Sequence, residues 1–309
     1  MKRQRRLVLI SLAALMLTGL VLAHVEVLQR LLKRLFHKGV NAVTGARENA
    51  VAPSPCGTRR EVLYGIFSTP GRAQTWAVVR RQAQCDLNNH IHSTVFVVGA
   101  PQSEGDREIV AREANAHGDV FVLSCEENMN EGKSYTYFKE ALERFPCFNF
   151  YAKVDDDTAF APSRLSARIS AVPNEGPLFI GRSSEILDNF FQRYIVKAIL
   201  TLRDMSWMHN LENYTAGMLY VLNAQAVREW VALNPTQLYG DEDFRTTYYM
   251  QQIGSRVVNL DTAFHDYIKY QTFPHQSHWR LDITHGSLAV HKCKSQRDLA
   301  DAFASICVV

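Results

Sequence analysis

Three consecutive carboxylates, Asp155, Asp156 and Asp157, follow directly on an apolar stretch that ends at Val154. Alternation along an extended chain puts Asp155 and Asp157 on one side and Asp156 on the other. Adjacent carboxylates repel one another and raise each other's pKa unless a cation lies among them. Oxygen ligands suit Mg²⁺ or Mn²⁺, which also bridge diphosphates. The run therefore predicts a divalent-metal site that can stabilise charge developing on a departing nucleoside diphosphate.

Two other uses of these carboxylates have to be weighed. A phosphatase-type nucleophile needs the pattern Asp-x-Asp-x-Thr, and Ala159 stands where that Thr is required. Carboxylates also stabilise the positive end of a helix, here one that could begin near Ser163. The position of the run directly after a buried strand favours the metal site over this structural role.

A second acidic group, Asp241, Glu242 and Asp243, opens a helical segment that ends at Gly254. Acidic residues are typical of a first helical turn, where they offset the helix dipole. A carboxylate held within hydrogen-bond reach of a hydroxyl is also a competent general base. Both roles are compatible, because helix N-termini line ligand clefts.

The elements around these groups alternate between strands and helices. Short apolar runs predict strands, and amphipathic spacing predicts the helices between them. The strands are Val62–Ser68, Thr94–Gly99, Val120–Leu123 and Phe148–Val154, and the helices are Thr75–Gln84, Arg107–His117 and Lys133–Arg144. The second half adds strands at Leu178–Gly181, Met218–Leu222 and Arg256–Leu260, and helices at Ala224–Ala232 and Asp243–Gln252. This order predicts one α/β domain with a mostly parallel, Rossmann-like sheet, in which ligands bind beyond the carboxyl ends of the strands.

The N-terminal residues have the charge and apolar character of a membrane-targeting segment. The first forty residues carry a net charge of +7 and the remaining residues a net charge of −4. A mildly acidic body is a poor match for a phosphate backbone, so we expect no nucleic-acid partner. An apolar run from Leu7 to Ala23 follows the basic N-terminal residues and can be extended to Leu28. We expect a cytosolic tail over residues 1–6, a transmembrane signal-anchor over 7–28, a stem over 29–58 and a lumenal catalytic domain over 59–309.

A cleaved signal peptide is the alternative, since Val21-Leu22-Ala23 could serve as its cleavage site. Either way the body is exposed to an oxidising compartment. The six cysteines then suit disulfides, in fifteen possible pairings. The sequon at Asn213 adds little by itself.

The acidic run lies in the segment Lys153-Val-Asp-Asp-Asp-Thr-Ala-Phe160, which resembles the K-x-DDD-x-x-F segment of the β1,3-galactosyltransferase family, glycosyltransferase family 31. Other segments fall in that family's order. They are Leu63–Ser68 with the loop Thr69–Arg72, the pair Val79-Arg80, the helix start Lys133-Ser134 with Tyr137-Phe138, the segment Tyr214–Leu222 with Gly217, the pair Glu242-Asp243, and Ala289–His291. The resemblance covers about residues 60 to 292.

The resemblance implies a GT-A-like nucleotide-sugar-binding fold, a UDP-sugar donor, Mn²⁺ or another divalent metal, and inversion at the anomeric carbon. It implies Asp157 as the main metal ligand, with Asp155 and His291 beside it, and His285 is the nearest rival of His291. It implies Asp155 and Asp156 on the ribose side of the donor, and Asp243 as the general base.

Basic residues at the matched positions are candidates for the donor's phosphates, since a bidentate Arg recognises phosphate well: Arg72, Arg80 and Lys133. Tyr214, Gly217 and Glu242 are assigned to the acceptor side, where Gly lets a sugar approach the backbone. Trp207 and Tyr220 could stack on sugar, although aromatic residues here are more often core.

These expectations describe a Golgi type II membrane hexosyltransferase that moves galactose or N-acetylglucosamine to a glycan or glycoconjugate hydroxyl, in a β1,3 linkage. Two rivals stay open. One is a metal-dependent lumenal hydrolase, and the other is a non-catalytic sugar-binding protein with the same fold.

Overall fold

The computed structural model describes residues 60–83, 92–185, 213–236, 238, 240–260, 263–266, 283–284 and 286–306. The predicted tail, signal-anchor and stem (residues 1–58) lie outside these ranges, as do Trp207 and His285. Among the helices that the structure describes, none has the length and apolar character needed to cross a bilayer.

The first half of the described chain is a series of strand–helix units. Strands β1 to β4 span Arg60–Phe67, His92–Ala100, Val120–Glu126 and Phe148–Asp155, and helices α1 to α3 between them span Ala73–Ala83, Glu104–His117 and Lys133–Arg144. A single 3₁₀ turn, Pro70–Arg72, precedes α1. Helix α2 begins at the Ser103 cap and ends at Gly118, whose φ of 69° is the left-handed conformation that Gly adopts without strain. These units match the predicted series to within a few residues.

The second half completes the domain with shorter elements. After strand β5 (Ala159–Phe160) come α4 (Pro162–Ser170), β6 (Leu178–Glu185), β7 (Asn213–Asn223), α5 (Ala224–Leu233) and α6 (Glu242–Gln252). Strands β8 (Arg256–Asn259), β9 (Phe264–Asp266) and β10 (Ala289–His291) and helix α7 (Gln296–Ile306) follow.

Two sheets organise the described residues. The larger has seven strands in the order β3-β2-β1-β4-β7-β6-β8, and the smaller has three in the order β5-β10-β9. In the larger sheet, β7 runs antiparallel to both β4 and β6, and the other pairs are parallel. The prediction of a mostly parallel α/β sheet is therefore confirmed, whereas the direction of β7 and the small second sheet were not predicted.

The core lies on both faces of the larger sheet. On one face Tyr64, Trp76 and Phe96 pack with the smaller sheet and α7, and on the other Phe138, Tyr151 and Trp230 pack with α3, α5 and α6. Burial on both faces explains why the central strands are nearly continuous apolar runs.

The expectation that all six cysteines form disulfides is wrong for two of them. Cys125 and Cys293 are free thiols. Cys293 is buried, and its thiol donates to the carbonyl of Val290, so it is partnered within its own loop. Cys147 is disulfide-bonded. Cys56, Cys85 and Cys307 lie outside the described residues.

Candidate active site and metal centre

A cluster of possible metal ligands lies where β4 ends. Among the described residues, Asp155, Asp157 and His291 form a group whose ligand atoms all lie within 4.8 Å of one another. His291 Nε2 is 3.3 Å from Asp157 Oδ1 and 3.6 Å from Asp155 Oδ2. The structure thus brings together the three residues assigned to the metal.

The connection between the two sheets creates this cluster. After Asp155 a turn closed by the hydrogen bond from Thr158 N to Asp155 O leads into β5. Strand β5 pairs antiparallel with β10, with Ala159 opposite Val290, and this pairing carries His291 to the side of Asp157. His291 lies more than 130 residues after the two aspartates, so no local pattern could have joined it to them.

Lys294 is a further partner of Asp157 that the sequence reasoning missed. Its ammonium donates to Asp157 Oδ2, and the preceding residue is fixed by a 2.9 Å hydrogen bond from Cys293 N to Asp157 O. Burial opposes ionisation of Asp157, but His291 and Lys294 together hold its pKa well below the ordinary value. Asp157 is therefore an ionised carboxylate at neutral pH.

Asp156 points away from this cluster, as strand alternation predicts. Its Oδ2 accepts from Ser68 Oγ at 2.6 Å and from Arg72 Nε at 2.7 Å. Ser68 Oγ in turn accepts from the indole Nε1 of Trp76 at 2.8 Å. The 3₁₀ turn that carries Arg72 is thereby fastened to the end of β4, which brings together Asp156 and one of the three basic residues assigned to the donor.

Lys133 lies beside the same corner. Its ammonium donates to the carbonyl of Ser68 at 2.9 Å and to Glu127 Oε1 at 2.5 Å. Glu127 also accepts from Gly99 N at 2.6 Å. Burial lowers the pKa of Lys133, although Glu127 opposes the shift. Neither Ser68 nor Glu127 was singled out from the sequence, because isolated polar residues at strand ends are common.

The described contacts do not bring Arg80 to this corner. Its guanidinium makes two hydrogen bonds to Asp119, at 2.7 and 2.8 Å, and one of 2.8 Å to Glu113. It also stacks over the ring of Phe96, 4.8 Å from the centroid. These contacts join α1 to α2 and to the start of β3, and the donor-binding role of Arg80 stays a prediction without a contact that favours it.

The acceptor-side residues meet at the junction of β7 and α6. Asp243 lies in the first turn of α6, and its Oδ2 accepts from the backbone N–H of Gly217 at 2.8 Å. A Cβ at Gly217 would lie 2.1 Å from Asp243 Oδ1, so only Gly lets the carboxylate approach the strand so closely. Tyr214 packs on Phe244, with ring centroids 4.8 Å apart. Burial and the charge of Glu242 raise the pKa of Asp243 to about 7.

Glu242 is a buried anchor of this junction. Its Oε1 accepts from Ser134 Oγ at 2.8 Å and from the hydroxyl of Tyr220. Its Oε2 is 3.2 Å from the ammonium of Lys153. Tyr220 is fully buried, so of the two alternatives for this residue the core position is confirmed and stacking on sugar is wrong.

The donor set fits the implied metal. Two carboxylates and an imidazole within a few ångströms of one another offer the oxygen and nitrogen ligands that Mn²⁺ accepts. Both carboxylates come from one chain segment, Asp155 at the end of β4 and Asp157 in the turn that follows it. Asp155, Asp157 and His291 would hold such an ion.

The fold and this geometry define an α/β protein with a candidate divalent-metal centre at the strand ends of its main sheet. A family model described as Galactosyltransferase matches residues 72–260, more than half of the chain. The chain therefore belongs to the galactosyltransferase family.

A curated relative from Schizosaccharomyces pombe (strain 972 / ATCC 24843), named Beta-1,3-galactosyltransferase pvg3, is 32% identical over 106 residues. The match covers 31% of this chain and 27% of that relative, so this chain aligns with only about a quarter of the relative's length.

Similar solved structures include a galactosyltransferase LgtC complex (10% identity, TM-score 0.44, covering 81% of this chain and 97% of that one). They also include the mannosyltransferase PcManGT from Pyrobaculum calidifontis (17% identity, TM-score 0.40, covering 68% and 57%).

Proposed function

We propose that this chain is an inverting hexosyltransferase with a GT-A-like fold, which moves galactose or N-acetylglucosamine from a UDP-sugar to a glycan hydroxyl in a β1,3 linkage. One observation carries the proposal. The ammonium of Lys153 contacts both Asp155 in the metal cluster and Glu242 beside Asp243, so the candidate metal site and the candidate base share one end of β4. The printed name of the fission-yeast relative favours galactose and the β1,3 linkage.

Asp243 is suited to deprotonate the acceptor. In an inverting reaction the acceptor hydroxyl attacks the anomeric carbon opposite the departing UDP and loses its proton to a base. A carboxyl group whose pKa lies near 7 is ionised in a large fraction of the molecules at neutral pH, and it is a stronger base than an ordinary carboxylate. Its hydrogen bond from Gly217 N holds the carboxyl group in place, and the carboxyl group also shares a hydrogen bond with Glu242.

The donor would be bound at the metal cluster and at Asp156. Asp155, Asp157 and His291 would hold a divalent ion, which supplies charge stabilisation for the UDP leaving group. Asp156, held by Ser68 and Arg72, offers a carboxylate oxygen for ribose hydroxyls. Arg72 is partly exposed, so its guanidinium is accessible to a phosphate of the donor.

The cellular setting is part of the proposal. The basic N-terminus followed by an apolar run supports a single-pass type II protein of the Golgi with a lumenal catalytic domain. Carbonate extraction of membranes tests the anchor. We expect the full chain to stay with the membranes and a chain starting at residue 59 behind a cleavable signal to be released. Release of both would contradict the anchor.

The experiment that tests the activity compares Asp157→Asn and Asp243→Asn in the purified lumenal part, with Mn²⁺, a panel of UDP-sugars and an acceptor panel. We expect both variants to lose transfer. Only Asp157→Asn should also weaken Mn²⁺-dependent UDP binding, measured by calorimetry. Asp301→Asn, an exposed carboxylate on α7, is the matched control and should behave as wild type.

Each rival function predicts a different result. A hydrolase would release free sugar or phosphate from UDP-sugars without any acceptor dependence. A sugar-binding protein would bind without turnover in the wild type. Equal loss of UDP binding in Asp157→Asn and Asp243→Asn would contradict the division of labour between the two carboxylates.

A further inference from the structure

Lys153 is a buried cation in the central strand β4. Its side chain is 2% exposed, and Lys is almost never so deeply buried unless it is paired. It is flanked across the sheet by Gly65 of β1 and Tyr220 of β7, and its ammonium lies 5.7 Å from the ring centroids of Phe67 and Tyr220. The position costs desolvation, so its contacts have to compensate.

The three N–H groups of this ammonium match three acceptors from different parts of the site. Asp155 Oδ1 lies at 2.7 Å, the carbonyl of Gly217 at 2.5 Å and Glu242 Oε2 at 3.2 Å. An ammonium has three donors and no acceptor, so this set can use its full capacity. One contact therefore reaches a candidate metal ligand, and the other two reach the junction that holds Asp243.

The two contacts at the junction act on Asp243 from both sides. Lys153 holds the carbonyl of Gly217, and the N–H of the same residue donates to Asp243 Oδ2. Lys153 also holds Glu242, the residue before Asp243 in the first turn of α6. A shift of Lys153 would move β7 and α6, and these two elements together determine the position of the Asp243 carboxylate.

We propose that Lys153 is a positioning residue for sugar transfer, which fixes the distance between the metal-bound donor at Asp155 and the base Asp243. The inference rests on the proposed function and deepens it. Reacting atoms must approach to within a few tenths of an ångström of an ideal geometry, and a misplacement of 1 Å can cost a factor of about 100 in rate. Lys153 is a single buried side chain that contacts both half-sites, which are the metal cluster at Asp155 and the junction of β7 and α6 that holds Asp243. It is therefore suited to that task.

The first test replaces the ammonium by an apolar side chain of similar length, Lys153→Met, with Lys153→Arg as the conservative variant and the exposed Lys139→Met as control. We expect folded Lys153→Met to lose about 100-fold in kcat. UDP affinity with Mn²⁺ should fall much less, because Asp155, Asp157 and His291 all remain. Lys139→Met should match the wild type.

The pH profile separates positioning from mere stabilisation. The charged or titratable groups around Asp243 are Glu242 on its own helix, Lys153 on β4 and Tyr214 on β7. Loss of a nearby cation favours the protonated carboxyl, so the acid limb of kcat/KM should move to higher pH by about 1 unit in Lys153→Met and return in Lys153→Arg. If Lys153 only supported folding, its replacement would lower the melting temperature but leave the pH dependence of kcat/KM unchanged for the enzyme that remains folded.

A double-mutant cycle covers the case in which Lys153→Met does not fold. Asp155→Asn and Glu242→Gln each keep Lys153 and remove one of its charged partners. If Lys153 transmits between the half-sites, the loss of kcat/KM in the double variant should differ at least about threefold from the product of the single losses. Independent losses, or a folded Lys153→Met with wild-type kcat and an unmoved limb, would overturn the proposal. A wild-type protein without transferase activity would instead refute the proposed function itself.

Discussion

At the scale of single residues, the two functional carboxylates differ in their surroundings. Asp157 lies among cationic or protonatable groups, His291 and Lys294, which favour its charged form. Asp243 lies beside another carboxylate and away from water, which favours its neutral form. Opposite shifts of two carboxyl groups in one site are typical of a division between charge stabilisation and proton transfer.

The first prediction concerns activity and pH. A base must be ionised to accept a proton, and the pKa of Asp243 is raised to about 7. We therefore expect kcat/KM to fall tenfold per pH unit below about pH 7 and to level off above it. Initial rates at saturating Mn²⁺, with the metal content checked at each pH, measure the limb. A profile that is flat from pH 5 to 8 would contradict the assignment of Asp243.

The second prediction concerns stability and follows from the same shift. A carboxyl whose pKa is higher in the folded than in the unfolded chain contributes stability at low pH, and this contribution is lost as pH rises through 7. Asp243→Asn removes the charge and keeps an oxygen for Gly217 N. The variant should therefore gain on the order of 1–3 kcal/mol over the wild type at pH 8 and much less at pH 5. Urea unfolding at both pH values measures the difference, and an equal effect at both would refute it.

Only some of the site residues and their contacts could be predicted from the sequence. Strand alternation correctly separated Asp155 and Asp157 from Asp156, because the periodicity of an extended chain is a local property. Lys294 and Ser68 could not be found in this way, since they lie 137 and 88 residues from the aspartates that they contact. Lys153 was visible in the acidic motif, but its contacts to Gly217 and Glu242 depend on β7 lying next to β4.

At the scale of elements, β7 and α6 form the part of the site that sequence periodicity could not place. The apolar run that ends at Leu222 predicts a strand, and nothing in that run specifies the direction in which it joins the sheet. Its antiparallel pairing with β4 places Leu219 opposite Val154 and Tyr220 opposite Lys153. Gly217 then meets the first turn of α6, and the close approach leaves no room for a side chain.

A third prediction tests this approach. In Gly217→Ala the new methyl group would overlap Asp243 Oδ1, so the carboxylate or the strand has to move. We expect kcat to fall about 100-fold while UDP binding with Mn²⁺ stays within about twofold, because the metal cluster is untouched. Gly105→Ala, at an exposed position of α2 with nothing nearer than 4.0 Å, is the control. Unchanged turnover in a folded Gly217→Ala variant would show that Asp243 needs no such proximity.

The fourth prediction concerns the contact between α1 and α2. Arg80 bridges Glu113 and Asp119 with three hydrogen bonds, in a region where its side chain is 16% exposed. Arg80→Met leaves two carboxylates without their cation, so we expect stability to fall by about 1–3 kcal/mol. The KM for UDP-sugar should not change if these contacts are the whole role of Arg80. A raised KM at unchanged melting temperature would instead support its assignment to the donor.

At the scale of the whole molecule, the candidate metal site joins the two sheets. Residues 156–158 connect β4 of the larger sheet to β5 of the smaller one, and His291 belongs to β10 of the smaller sheet. Cys293 N reaches back to the carbonyl of Asp157, and Gln296 of α7 donates to the carbonyl of Gln74 on α1. A ligand held by Asp155, Asp157 and His291 would therefore fasten together elements from the middle and the end of the chain.

The fifth prediction follows from this linkage. A ligand that binds only the folded chain stabilises it by RT ln(1 + [L]/Kd), about 2.7 kcal/mol at one hundred times its Kd. We expect UDP and Mn²⁺ together to raise the melting temperature by several degrees and EDTA to abolish the rise, because the ion that Asp155, Asp157 and His291 would hold supplies the charge that stabilises a diphosphate. UDP in the presence of EDTA should have little effect. Asp157→Asn should lose the rise and Asp243→Asn should keep it, since Asp243 lies outside the ligand set. A rise that persists in Asp157→Asn would place the metal elsewhere and leave the junction of the two sheets without the role given to it here.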